Sequence, residues 1–212
     1  MSLSRSVVLS AFSLFTASFA ATALADHPTY AVSILQNSYS PVNQQVMALI
    51  GQKNLKGLKE VLKKPGSVNV ADNKGARPAH YAAHMGNLDA MKLFVSLGAD
   101  VKATTFGGWT TLHYAVAAGH ADLAEYLIAH GVAIDAKDVG GESPLFYGVE
   151  SGNTTIAEWL IKRGANVNHE NSKGETPLSV AKGHKMVKMI ELLQKLGGKE
   201  GAAYTPDPND RD

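Results

Sequence analysis

Gly107-Gly108-Trp109-Thr110-Thr111-Leu112-His113-Tyr114-Ala115-Val116-Ala117-Ala118-Gly119 is a phrase that this chain repeats. Shifted by 33 residues, its turn glycine returns as Gly75, Gly108, Gly141 and Gly174. A second series, Gly98, Gly131, Gly164 and Gly197, follows 23 residues behind. Between them fall Pro78/Thr111/Pro144/Pro177, Ala79/Leu112/Leu145/Leu178 and Ala82/Ala115/Gly148/Ala181, with no insertion needed to hold the phase. A fixed period of this size predicts a stacked array, because one short unit cannot bury its own apolar face.

Each clear unit opens on a polar residue (Asp72, Thr105, Asp138) and a glycine turn. A helix of about two turns follows from Pro78, Thr111 or Pro144, broken at Gly86, Gly119 or Gly152. A second helix then runs to Gly98, Gly131 or Gly164, glycines suited to a left-handed residue just past a helix end. Small side chains on the first helices (Ala82, Ala115, Gly148) predict close approach between units, and the second helices carry the bulk: Phe94, Leu127, Trp159 and Leu160. Val101, Ile134 and Val167 are expected to point back into the stack. The terminal units depart from the pattern. Lys56, Lys59, Lys63 and Lys64 polarise the first, and Lys182, Lys185 and Lys188 the last, where Lys185 stands at a turn glycine and Gly183 lies two places earlier. Outer faces that meet water require this.

The phrases Gly75-x-x-Pro78-Ala79-His80-Tyr81-Ala82, Gly108-Trp109-Thr110-Thr111-Leu112-His113-Tyr114-Ala115, Gly141-Glu142-Ser143-Pro144-Leu145 and Gly174-Glu175-Thr176-Pro177-Leu178 resemble the ankyrin repeat, over about residues 40–198. Phe146 and Ser179 depart from the histidine set by His80 and His113. The expected fold is an all-α repeat solenoid of about five helix-turn-helix units with short hairpin-like turns. The units fall near 40–71, 72–104, 105–137, 138–170 and 171–198, after an arm at 26–39 and before a disordered tail at 199–212.

Residues 1–25 obey other rules. Arg5 is their sole charge, the run from Val7 is apolar and Ser/Thr-diluted, and Ala23-Leu24-Ala25 precedes Asp26. This is the form of a secretory signal peptide, and it places the mature chain in the periplasm or outside the cell, with no membrane insertion after cleavage. The chain has no cysteine, which excludes thiol catalysis and cysteine-ligated zinc. With 20 Lys+Arg against 19 Asp+Glu, no basic surface for nucleic acid is expected. No cofactor is expected, and the protein should be monomeric.

The resemblance implies a non-catalytic module that binds another protein through its hairpin tips and concave face. Carried over by position, the contact residues are Asn73, Lys74, His84, Met85, Phe106, Trp109, Val139, Glu142, Glu150, Lys173 and Glu175. Phe106 and Trp109 flank the turn glycines of the third unit, the composition of a binding hot spot; the alternative is that Trp109 folds over its neighbour and is half-buried. His80 and His113 are expected to tie turns together by hydrogen bonds. Catalytic motifs are absent: there is no Gly-x-Ser-x-Gly and no phosphate loop. The competing reading is a ligand- or metal-binding protein, or an enzyme, with a site in the concave groove around His84, Glu142 and Glu150.

Overall fold

The computed structural model describes residues 41–202. The expected signal peptide, the expected arm and most of the expected tail lie outside the described residues. Among the described residues ten α-helices run in five pairs: α1 (Pro41–Gly51) with α2 (Leu55–Val61), α3 (Pro78–His84) with α4 (Leu88–Ser96), α5 (Thr111–Ala117) with α6 (Ala121–Ala129), α7 (Pro144–Glu150) with α8 (Thr154–Lys162), and α9 (Pro177–Gly183) with α10 (Val187–Lys195). No strand forms among the described residues. The first helices stack in order, α1 on α3, α3 on α5, α5 on α7 and α7 on α9. The expected solenoid is what the chain adopts.

Local chemistry explains the pairs. Proline occupies the start of α3, α7 and α9, where its missing N–H costs no hydrogen bond. Second helices open on Asn54, Asn87 and Asn153, whose side-chain oxygens accept from Gly57, Ala90 and Ile156 N–H at 2.8, 3.0 and 3.1 Å. Asn87 also donates to the Ile50 carbonyl of the preceding unit at 2.8 Å, so one side chain both caps a helix and joins two repeats.

The core runs the length of the stack. Ala82, Ala115 and Ala181 are fully buried on the first helices, as are Met91, Phe94, Leu127 and Leu160 on the second. Val101 is buried, and Ile134 and Val167 pack against the core from the extended segments. Trp159, expected among the bulky core residues, and Tyr126 are half-buried at its margin. Both ends of the stack keep the same sharp turn without glycine: Lys53 and Lys185 take φ of 52° and 55° where the inner units have Gly86, Gly119 and Gly152. Gly183 does not relieve Lys185, since it closes α9 instead.

The expected boundary at 198 moves outward. Lys199 N–H donates to Asn168 Oδ1 at 2.6 Å and its carbonyl accepts from Thr176 Oγ1 at 2.7 Å. The same positions recur inside the stack, where Asp100 N–H donates to Asn69 Oδ1 at 2.8 Å. Residues 199–201 therefore complete the extended segment of the fifth unit and bond its hairpin residue Thr176, where the sequence suggested a disordered tail.

Candidate protein-binding face

Before each first helix the chain makes a tight hairpin. Asp72, Thr105, Asp138 and Asn171 N–H donate to the carbonyls of Ala76, Trp109, Glu142 and Glu175 at 2.8 to 3.0 Å, and Gly75, Gly108, Gly141 and Gly174 N–H close the turns. Asp138 shows why a carboxylate suits the first position. Its Oδ1 accepts from Gly140 and Glu142 N–H, both at 2.8 Å, while Oδ2 accepts from the Tyr147 hydroxyl at 2.5 Å. Asp72 repeats this set with Lys74, Ala76 and Tyr81. Burial, then the Asp138 carboxylate, pushes the Tyr147 phenol upward, so it stays a donor.

Successive hairpins are hydrogen-bonded edge to edge. Phe106 N–H donates to Lys74 O at 2.8 Å, Val139 to Gly107 at 3.1 Å and Ser172 to Gly140 at 2.8 Å. The turn glycines thus align along one edge of the molecule. Gly108 has φ of 81°, and a Cβ there would lie 2.8 Å from Asp138 Cα and Val139 N; only glycine fits.

Behind the tips, two histidines lock the units. His80 Nδ1 accepts from Arg77 N–H at 3.0 Å, which leaves Nε2 to donate to Ala103 O at 3.1 Å. His113 does likewise, with Thr110 N–H at 3.0 Å and Glu142 O at 3.3 Å. Burial pushes both imidazoles down to about 4, outweighing those hydrogen bonds, so both are neutral donors near pH 7. Phe146 cannot do this, and the buried Ser143 Oγ beside it has no hydrogen-bond partner among the described residues. A different histidine takes up the ring contact: His169 of the same unit, at the position of Ala103 and Ala136, packs edge-on to Phe146 and bonds Gly141 O at 3.0 Å. Phe146 stands out in the sequence as a departure, but nothing there signals this exchange.

The predicted residues fall into two groups. Asn73, Lys74, Phe106, Trp109, Val139, Glu142, Lys173 and Glu175 belong to the hairpin edge; His84, Met85 and Glu150 end the first helices. Phe106 and Val139 are each 76 % exposed at adjacent tips. Trp109 is half-buried, its ring 4.2 Å from Tyr147, 5.1 Å from Tyr114 and stacked on His113. The expected aromatic pair therefore divides: Phe106 is presented to solvent and Trp109 belongs to the floor beneath it. Asn73 and Lys173 are exposed, and Lys74, Met85 and Glu150 half-exposed.

Glu142 and Glu175 converge through a residue that sequence reasoning missed. Asn171 Nδ2 donates to Glu142 Oε1 at 3.2 Å and Glu175 Oε2 at 2.9 Å. Its only sequence signal is asparagine at a position held by aspartate in Asp72 and Asp138.

The proposed groove site around His84, Glu142 and Glu150 does not assemble. Glu142 precedes α7 and Glu150 ends it, a rise of roughly 12 Å at 1.5 Å per residue. His84 lies two units away, edge-on to Tyr114 and with its backbone carbonyl bonded by His120 Nε2 at 3.1 Å. His84 is exposed as a residue, yet the protein around its ring, then His120, lowers its pKa. Among the described residues no group of three His, Asp or Glu side chains could hold a metal, and no helix is long and apolar enough to cross a membrane.

No curated protein matches the chain significantly. The family model described as ankyrin repeats (3 copies) matches residues 46–138 and 137–205. That match, together with five stacked helix pairs and a continuous hairpin edge, shows that the chain belongs to the ankyrin repeat family, whose members are protein–protein interaction modules.

Proposed function

We propose that this protein is an exported, non-catalytic binding module that engages one partner protein through its hairpin edge and concave face in the periplasm or outside the cell. The observation that carries the reading is the pair Phe106 and Val139. Two large apolar side chains, each 76 % exposed, stand side by side on hairpins that the backbone holds rigidly together. Burial of apolar surface drives association, and anchors of this kind dominate interface energetics. The leader sequence supports the location. Two versions of the role differ in the partner: a toxin to be neutralised, or a periplasmic oxidative-stress enzyme to be supported.

The test is affinity purification from periplasmic extract with wild type and a Phe106→Ala, Val139→Ala double variant. Trp109 is left intact because its ring belongs to the packing. One partner should be recovered by wild type and lost by the variant, whose helical circular dichroism should be unchanged. Equal recovery by both proteins would remove this face from the reading. A gene for a toxin beside this one would decide for neutralisation.

A further inference from the structure

We infer that the hairpin edge is built for a partner segment in which apolar residues adjoin lysine or arginine, so that the apolar part lies on units three and four and the basic part on units four and five. This rests on the proposed binding role and specifies the chemistry of its ligand.

Corresponding positions along the edge carry the inference. The residue after each hairpin's first polar position is Asn73, Phe106, Val139 and Ser172, so the apolar character is confined to the middle two units. The residue after each turn glycine is Ala76, Trp109, Glu142 and Glu175, running from small to aromatic to acidic in one direction. The two glutamates are not spread apart: both carboxylates bond the same Asn171 Nδ2, at 3.2 and 2.9 Å. Two like charges brought together raise the local negative potential and favour a cation. The edge offers little compensation. Lys173 approaches Glu175 only at 3.9 Å, and Glu142 forms no ion pair with lysine or arginine among the described residues. Lys137 and Glu170, which precede the two hairpins, offset each other.

The apolar and acidic stretches therefore adjoin in a fixed order. Val139 and Glu142 lie on one hairpin, closed by the Asp138 N–H to Glu142 O bond at 3.0 Å. A segment seated on Phe106 and Val139 must continue over Glu142 and Glu175 or back over Asn73 and Lys74. Charge complementarity gives a basic continuation in the first direction and penalises an acidic one.

Selection from a random peptide library displayed on phage, against the folded chain, tests this without knowing the natural partner. Wild type should enrich peptides that combine apolar with Lys or Arg residues. Binding of the selected peptides should fall about tenfold or more on Phe106→Ala, Val139→Ala and on Glu142→Lys, Glu175→Lys, the second variant now preferring acidic peptides. Helical circular dichroism checks that both variants fold. Enrichment of acidic or uncharged peptides, no enrichment at all, or indifference to the charge reversal would overturn the inference. A natural partner captured through Phe106 and Val139 whose binding survives Glu142→Lys, Glu175→Lys would overturn it too, yet leave the binding role standing.

Discussion

The hairpin side and the second-helix side of this stack are held by different means. On the hairpin side, backbone meets backbone: tips bond at 2.8 to 3.1 Å, and first helices press together over Ala82, Ala115 and Gly148. A Cβ on Gly148 would come within 3.3 Å of Val116 Cγ1 on α5. On the other side the middle helices α4, α6 and α8 approach less closely, and long side chains reach across. Arg163 of unit four bonds Glu125 on α6 and lies over the Trp159 ring, 5.3 Å from its centroid. Close packing on the first-helix side and looser packing on the other is the spacing that makes a first-helix face concave. Rigidity thus accompanies the surface assigned to binding, which reduces the ordering cost of association.

Among single substitutions, breaking the backbone edge should have the largest effect. In Gly108→Ala the new Cβ meets the Asp138 and Val139 backbone at 2.8 Å, and the residue is held at φ of 81°. Neither contact can be relieved by rotating a side chain. A loss of about 3 kcal/mol or more is expected, combining αL strain with displacement of the neighbouring hairpin. Urea denaturation monitored by circular dichroism measures it; a loss below about 1 kcal/mol would show that the tips are not rigidly coupled.

Acid should attack the same side next. His80 and His113 have pKa values lowered by burial to about 4 when folded, against 6.5 in the open chain. The unfolded state therefore binds protons that the native state refuses. Their contribution is fully present above pH 6.5 and is lost as pH falls from there toward 4, on the order of 3 kcal/mol for each imidazole. Stability measured from about pH 7 to 4 should fall with that sign, and His113→Gln should flatten the slope. A slope unchanged by His113→Gln would mean that this ring is not buried neutral.

Much of this asymmetry is legible in the order of residues alone. Period, turn glycines and small first-helix residues are local signals, each set by a backbone angle or a contact that recurs in every unit. What escapes the sequence depends on pairs far apart in the chain. Trp109 is packed rather than exposed because Tyr147, 38 residues later in sequence, lies against it. The exchange of His113 and Ala136 for Phe146 and His169 has the same character, since each residue makes sense only beside the other. Within the candidate face, the positions at the tips are readable and their exposure is not: Phe106 and Trp109 look alike in sequence and differ because only one has aromatic neighbours in the next unit.

The smallest effect should come from the second-helix side. Arg163→Ala removes an ion pair to Glu125 and a cation over Trp159, both members of the ion pair being nearly half exposed. Solvent screening limits such a pair, and the two contacts together should contribute at most about 1 kcal/mol. Because α6 and α8 are held there by side chains rather than by interlocked backbone, the loss should remain local and leave the hairpin edge intact. Denaturation at low and at high salt checks both points: the small loss should shrink further in salt, and the peptides selected on the hairpin edge should bind Arg163→Ala as they bind wild type. A loss as large as that of Gly108→Ala would mean that the two sides are equally rigid, and the concave face would then need another cause.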